Sequence, residues 1–243
     1  MVPTAPDRLL HHPVNGYPAI ALQKVSLKMK RRLSGLFLML LFTVVSVSAQ
    51  TAQETPKTTE KTKYDVLLEK VKQKDPTVNF TELRHAFYES DLYNPYAPMM
   101  TYRPLNAALA QKNYEEVLKI AESVFAKNFV EVNAHMAAHV AYQETGNTER
   151  AQFHKYMADG LLNSIKGSVD GKTKETAFEV ISINEEYGLI RFLKLRPITQ
   201  ALVNDNGHSY DAITVIDPAT NKESVIYFNI DKPFNWQSRK KQP

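Results

Sequence analysis

Two histidines, His135 and His139, stand four residues apart in the stretch "NAHMAAHVAYQETGN", and a third, His154, follows in "AQFHKYMADG". On a helix, residues at i and i+4 share one face. Two or three imidazoles on facing helices can hold Zn²⁺ and leave a position open for water. That chemistry would be a metal-assisted hydrolase with His135, His139 and His154 as ligands. The same spacing suits a packed interior, where a neutral imidazole is a medium-sized group with one donor and one acceptor. No glutamate follows His135 directly, so the built-in general base of the HExxH pattern is missing. Packing is therefore the favoured reading, and no metal or cofactor is expected.

Other reactive residue types are arranged less suggestively. In "GHSYD", Ser209 follows His208. Neighbours on a strand point to opposite faces, so His208 cannot activate Ser209. No GxSxG elbow is present. The acid pairs Glu115-Glu116 and Glu185-Glu186 fall in first turns of expected helices, where carboxylates oppose the helix dipole. Eight glycines in the chain include no phosphate-cradling loop, and there is no cysteine. Thiol catalysis and Cys-ligated zinc are thereby excluded, and no catalytic residue is assigned.

The elements that position these residues begin after a leader. The segment "MKRRLSGLFLMLLFTVVSVSAQ" has a basic start at Lys30 to Arg32, an apolar run from Leu36 to Val47 and small residues before Gln50. That is the pattern of a secretory signal peptide over 29–49, cut after Ala49. The apolar run has 12 residues, short of the ~20 that span a bilayer, so no transmembrane anchor is expected in the mature chain. Residues 1–28 read as an over-extended gene start. The chain carries 30 basic and 26 acidic residues, but residues 1–49 hold six of the basic and one of the acidic ones. The remainder is close to neutral, with 24 basic against 25 acidic residues. A nucleic-acid partner needs a clustered basic footprint and is not expected. The localisation expected is periplasmic or extracellular.

After a polar leader over 50–63, the sequence predicts one domain over 64–236, followed by a basic tail over 237–243. The part from 64 to 166 reads as helices. "YDVLLEKVKQKDP" and "NFTELRHAFYESDLY" give two. "YNPYAPMMTYRP" reads as an extended, Tyr-rich connection because of its prolines. A helix then starts with Pro104 at N1, and three more follow to Ile165. From 174 to 236 the chain reads as strands and one helix. "ETAFEVISI" is a strand, and "EEYGLIRFLKLR" a helix capped by Asn184 and ended by Pro197. "ITQALV", "HSYDAITVI" and "ESVIYFNI" form an antiparallel meander turned at Asn206-Gly207. Phe234 and Trp236 are the expected anchors of the C-terminus. The fold class expected is α+β.

"KNYEEV" begins 34 residues before "GNTERA", and 34 is the period of the tetratricopeptide repeat. Tyr142, Gly146, Ala151 and Ala158 also resemble that family's preferences over about 104–165. Phe129 and His139 depart from them, the first where Pro is usual and the second where a very small residue is usual. The resemblance implies helical hairpins in which His135 and His139 face neighbouring helices. It also implies a peptide-binding groove lined by Asn133, Met136, Val140, Gln143 and Glu144. Over most of the mature chain, "YESDLYNPYAP", "FEVISINEEY", "GHSYD" and "IYFNIDKPF" resemble a family of exported bacterial proteins known only as a domain of unknown function. That resemblance implies one co-folding unit and no particular activity. The function expected is therefore an exported, non-catalytic binding protein for a protein or peptide. The alternatives are the His-cluster hydrolase and a structural envelope protein.

Overall fold

A computed structural model describes residues 60–239. The assignments to 1–28, 29–49, most of the 50–63 leader and the last four residues of the tail lie outside them. Six helices come first: α1 (Lys63–Lys72), α2 (Phe80–Glu89), α3 (Ala97–Ala110), α4 (Tyr114–Phe125), α5 (Val132–Glu144) and α6 (Thr148–Lys166). Then follow β1 (Phe178–Glu179), α7 (Ile183–Phe192), β2 (Arg196–Asp205), β3 (His208–Asp217), β4 (Lys222–Asn229), α8 (Asp231–Phe234) and α9 (Trp236–Arg239). The class is α+β, as expected. No helix among the described residues is long and apolar enough to cross a membrane.

The helix starts follow from side-chain caps. Thr62 and Asp65 form a reciprocal capping box on α1, and Asn79, Asn113 and Asn147 cap α2, α4 and α6. Each supplies an acceptor to an otherwise orphaned backbone N–H. The turns before α4 and α6 are built alike. Lys112 (φ 54°) and Gly146 (φ 81°) are both left-handed, and each precedes a capping Asn. Consecutive helices α3 to α6 pack side by side as hairpins.

The Pro-rich segment differs from its expected extended form. Helix α3 begins at Ala97, with Pro98 in its first turn and Pro104 inside it. Pro98 sits where a missing N–H removes no bond. Pro104 has no N–H to bond the carbonyl of Met100, and Met100 itself is 81% exposed. The tyrosines serve as ties: Tyr93 is buried and donates to the carbonyl of Ile181 at 2.7 Å.

The sheet has the order β1-β4-β3-β2. The β2–β3–β4 meander is antiparallel as expected. The Phe178 strand is only two residues long and joins β4 in parallel. The helix α7 begins at Ile183, capped at Ser182, and ends at Phe192. It stops ahead of Pro197 because Lys194 turns left-handed (φ 60°) and Arg196, before the proline, is held extended. The C-terminus is anchored by Trp236, whose Nε1 donates to Tyr93 O at 3.1 Å. Phe234 is 51% exposed and is not an anchor. Buried Pro233 takes that place.

One apolar core joins α1, α2, α6 and α7 to the inner face of the sheet, through residues such as Phe87, Leu161, Leu189, Ile213 and Phe228. Each fully buried Leu, Ile or Phe contributes ~1.5–3 kcal/mol. Helix α2 reaches α6 closely because Gly160 has no side chain. A Cβ there would lie 2.4 Å from the ring of Phe80. The α3–α5 hairpins have small cores of their own, rich in alanine, which bring their backbones close.

Candidate functional site

Helix α5 places Asn133, Met136, Ala137 and Val140 on one face, at i, i+3, i+4 and i+7. That face borders a cavity of ≈ 310 Å³, closed on its other sides by Leu109 of α3, Leu162 of α6 and Phe192 of α7. Its apolar wall reaches solvent, since Val140 is 41% and Phe192 37% exposed. Neither the sheet nor the Tyr-rich segment covers it. Gln143 and Glu144 lie further along α5, exposed and outside the cavity. Glu144 accepts from Tyr114 Oη at 3.4 Å.

Asn133, expected as a groove residue, is buried and fully bonded. Its Nδ2 donates to Glu131 Oε1 (3.2 Å) and to the carbonyl of Asn184 (3.0 Å). Its Oδ1 accepts from Arg191 Nη1 (2.9 Å). It therefore positions a cation and is not itself a free contact. Arg191 also donates from Nη2 to Tyr102 Oη at 2.7 Å. Among the described residues no carboxylate pairs with it. A held guanidinium without an ion-pair contact among the described residues thus lines a largely apolar groove, whose wall also carries the Lys155–Asp159 ion pair.

Glu131 braces Asn133 from below. Its Oε1 also accepts from Asn133 N and Asn184 Nδ2. Burial pushes its pKa up to about 7, against the lowering effect of those bonds and with Glu185 adding repulsion.

The histidines occupy the helix interfaces. His135 Nε2 lies 2.8 Å from the carbonyl of Phe129, so it must carry the proton. His135 Nδ1 is then an acceptor, and His154 Nδ1, 2.9 Å away, must donate to it. The tautomers follow from bonding needs. Burial lowers the pKa of His135 to about 3 and of His154 to about 4, so both are neutral at pH 7. His139 Nδ1 meets the carbonyl of Ala151 at 2.9 Å. The three rings do not converge, and among the described residues no group of three His, Cys, Asp or Glu side chains could hold a metal ion. His208 pairs with Asp231 at 2.6 Å, while Ser209 Oγ donates to Asn204. Serine and histidine are thus separated, as strand alternation requires.

Glu185 and Glu186 fall in the first turn of α7, as expected. Both are buried. Glu185 takes two hydrogen bonds from buried Arg84, from Nε (2.9 Å) and Nη2 (2.7 Å), and one from Ile181 N (2.8 Å). The oxygens of Glu186 meet no donor group of another type. Its neighbour is the Asp211 carboxyl, which burial raises in pKa. Two carboxyl groups bond only through a shared proton. Glu186 carries it, because burial and then Asp211 hold its pKa well above the usual range. Gln200 Nε2 donates to Asp211 from the other side at 2.6 Å. A sequence signal existed: Glu185 and Glu186 precede buried Leu189 and Ile190 by four residues each, so they share those inward faces.

Fold and site together define an α+β protein with a helical layer, an open groove between its hairpins and a buried polar network behind that groove. The chain belongs to the family described as a domain of unknown function, DUF4919, which matches residues 53–239. No curated protein and no solved structure matches it.

Proposed function

We propose that this chain is an exported, non-catalytic binding protein whose groove between α3, α5, α6 and α7 takes an extended peptide segment of a protein partner. The observation that carries this reading is the pairing of an open apolar wall (Met136, Val140, Phe192) with Arg191 beside it. An apolar peptide side chain would pack on that wall, and a peptide carbonyl or terminal carboxylate would accept from Arg191. The resemblance of the hairpins to tetratricopeptide repeats supports the same mode. Export is supported by the Lys30–Ala49 leader pattern.

The test is selection of peptides from a displayed library on purified residues 50–243. Peptides pairing an apolar side chain with a carboxylate should be enriched and should slow hydrogen exchange in α5 and α7. Val140→Asp and Arg191→Met should each weaken them about 10-fold, or ~1.4 kcal/mol. Enriched peptides that bind both variants unchanged would sink the proposal. The mass of the product recovered outside the cytoplasm tests export. It should begin at Gln50.

A further inference from the structure

The opposite side of α5 carries a second cavity, ≈ 360 Å³, between α1, α4, α5 and α6. Its character differs from that of the groove. Its walls include the rings of Phe125, Phe129, Phe153, Tyr142 and His154. Three of these are stacked: His154 lies between Phe125 (5.2 Å, 14°) and Tyr142 (5.5 Å, 11°). Two cations from different elements line the same space, Lys72 of α1 and Arg150 of α6. Lys72 Nζ stands 4.9 Å over the ring of Phe129. Arg150 Nη1 donates to Tyr142 Oη at 2.7 Å, which holds the guanidinium against the cavity wall. Among the described residues no carboxylate is in ion-pair contact with either cation. Glu122 is the one acid lining the cavity; it and Glu149 attract Arg150 without an ion-pair contact, and the lining itself carries two positive charges against one negative.

The histidine relay adds a polar feature. His154 Nδ1 is committed as a donor to His135. The remaining nitrogen, Nε2, is therefore a lone-pair acceptor directed away from His135. No donor among the described residues meets it. A site with an aromatic wall, surplus positive charge and one neutral acceptor selects a planar ring bearing an anion and an N–H or O–H donor.

We propose that this cavity binds a small aromatic acid. Its ring lies against Phe125, Phe129 and Phe153, its carboxylate meets Lys72 and Arg150, and a ring N–H or O–H donates to His154 Nε2. The site is separate from the peptide groove and does not depend on it.

Titration calorimetry on purified residues 50–243 tests this with four probes: indole-3-acetate, 4-hydroxyphenylacetate, uncharged indole-3-acetamide and non-aromatic cyclohexylacetate. The two aromatic acids should bind saturably, one per chain, at least about 10-fold more tightly than the other two. Lys72→Met and Arg150→Met change exposed residues, so they should fold normally and each weaken the acids about 10-fold. The ¹⁵N shift of His154 Nε2 should move on binding. Val140→Asp, in the other cavity, should leave all of this unchanged. Absence of saturation with both acids up to millimolar concentration would overturn the proposal. So would equal binding of the acetamide, or acid binding that survives both substitutions.

Discussion

Glu185 and Glu186 are adjacent on one turn of α7, both buried, and are accommodated in opposite ways. Glu185 faces α2, where Arg84 reaches it with two hydrogen bonds and Ile181 N adds a third. Glu186 faces the sheet, has no cation, and gives up its charge by holding a proton against Asp211. The difference lies in what tertiary packing brings from elsewhere in the chain. Arg84 comes from 101 residues earlier. On the sheet side packing brings another acid. One solution is a buried ion pair. The other is a proton-dependent contact.

The largest effect expected from breaking this contrast is on the ion pair. Arg84→Met leaves Glu185 buried without a partner and should cost about 3–5 kcal/mol, read as a drop in the urea midpoint. Adding Glu185→Leu should recover most of it. A single variant as stable as the parent would show that the pair contributes nothing.

Glu186 should behave in the reverse sense. Glu186→Gln keeps a neutral donor for Asp211 with no proton to lose. It should stabilise the fold by about 1–3 kcal/mol at pH 8 and change little at pH 5. Equal effects at the two pH values would mean that Glu186 does not titrate in the folded state.

A third expectation extends the contrast to pH. For Glu131 and Glu186 the folded pKa is raised, so the folded state holds protons that the unfolded state releases. Their contribution is complete below about pH 4.5 and is lost as pH rises, through about 7 for Glu131. For His135 and His154 the folded pKa is lowered. Their contribution is complete above about pH 6.5 and is lost as pH falls through about 4 and about 3. Urea midpoints followed from pH 3 to 9 should show Glu131→Gln flattening the alkaline limb and His135→Gln the acid limb. If both variants keep the parent slopes, other groups carry the dependence. The smallest stability effect should be at the groove. Val140→Asp is solvent-facing and should shift stability by under ~0.5 kcal/mol while weakening peptide binding about 10-fold.

The meander was legible because Asn206-Gly207 supplies the two left-handed residues a tight hairpin needs. Helices α5 and α6 were legible through Gly146-Asn147 and their spacing. The start of α3 was not, because proline reads as a breaker until its position within the helix is known. The Phe178 strand was over-read: apolar alternation does not reveal that only two residues find a partner. Met136 and Val140, expected in a groove, line a cavity. Asn133 was not recognised as a brace, because its role depends on Arg191 and Asn184, more than 50 residues away in sequence. Arg191 itself was missed for the same reason.

Strand β2 has a consequence for how the molecule behaves among its own copies. It is the outer strand of the sheet, ten residues long and largely uncovered, with Leu202 53% exposed. Such a border invites another chain to add on. The register slips between Pro197 and Thr199, Pro197 has no N–H to offer, and Asp205 at the far end is tied to Lys174 at 2.6 Å. Both ends are thus unsuited to continued pairing, and only the short middle offers an even row of backbone groups. Spoiled ends leave that border a poor template for another chain, so solubility at high concentration should be sensitive to Pro197 and Lys174, residues that touch neither cavity.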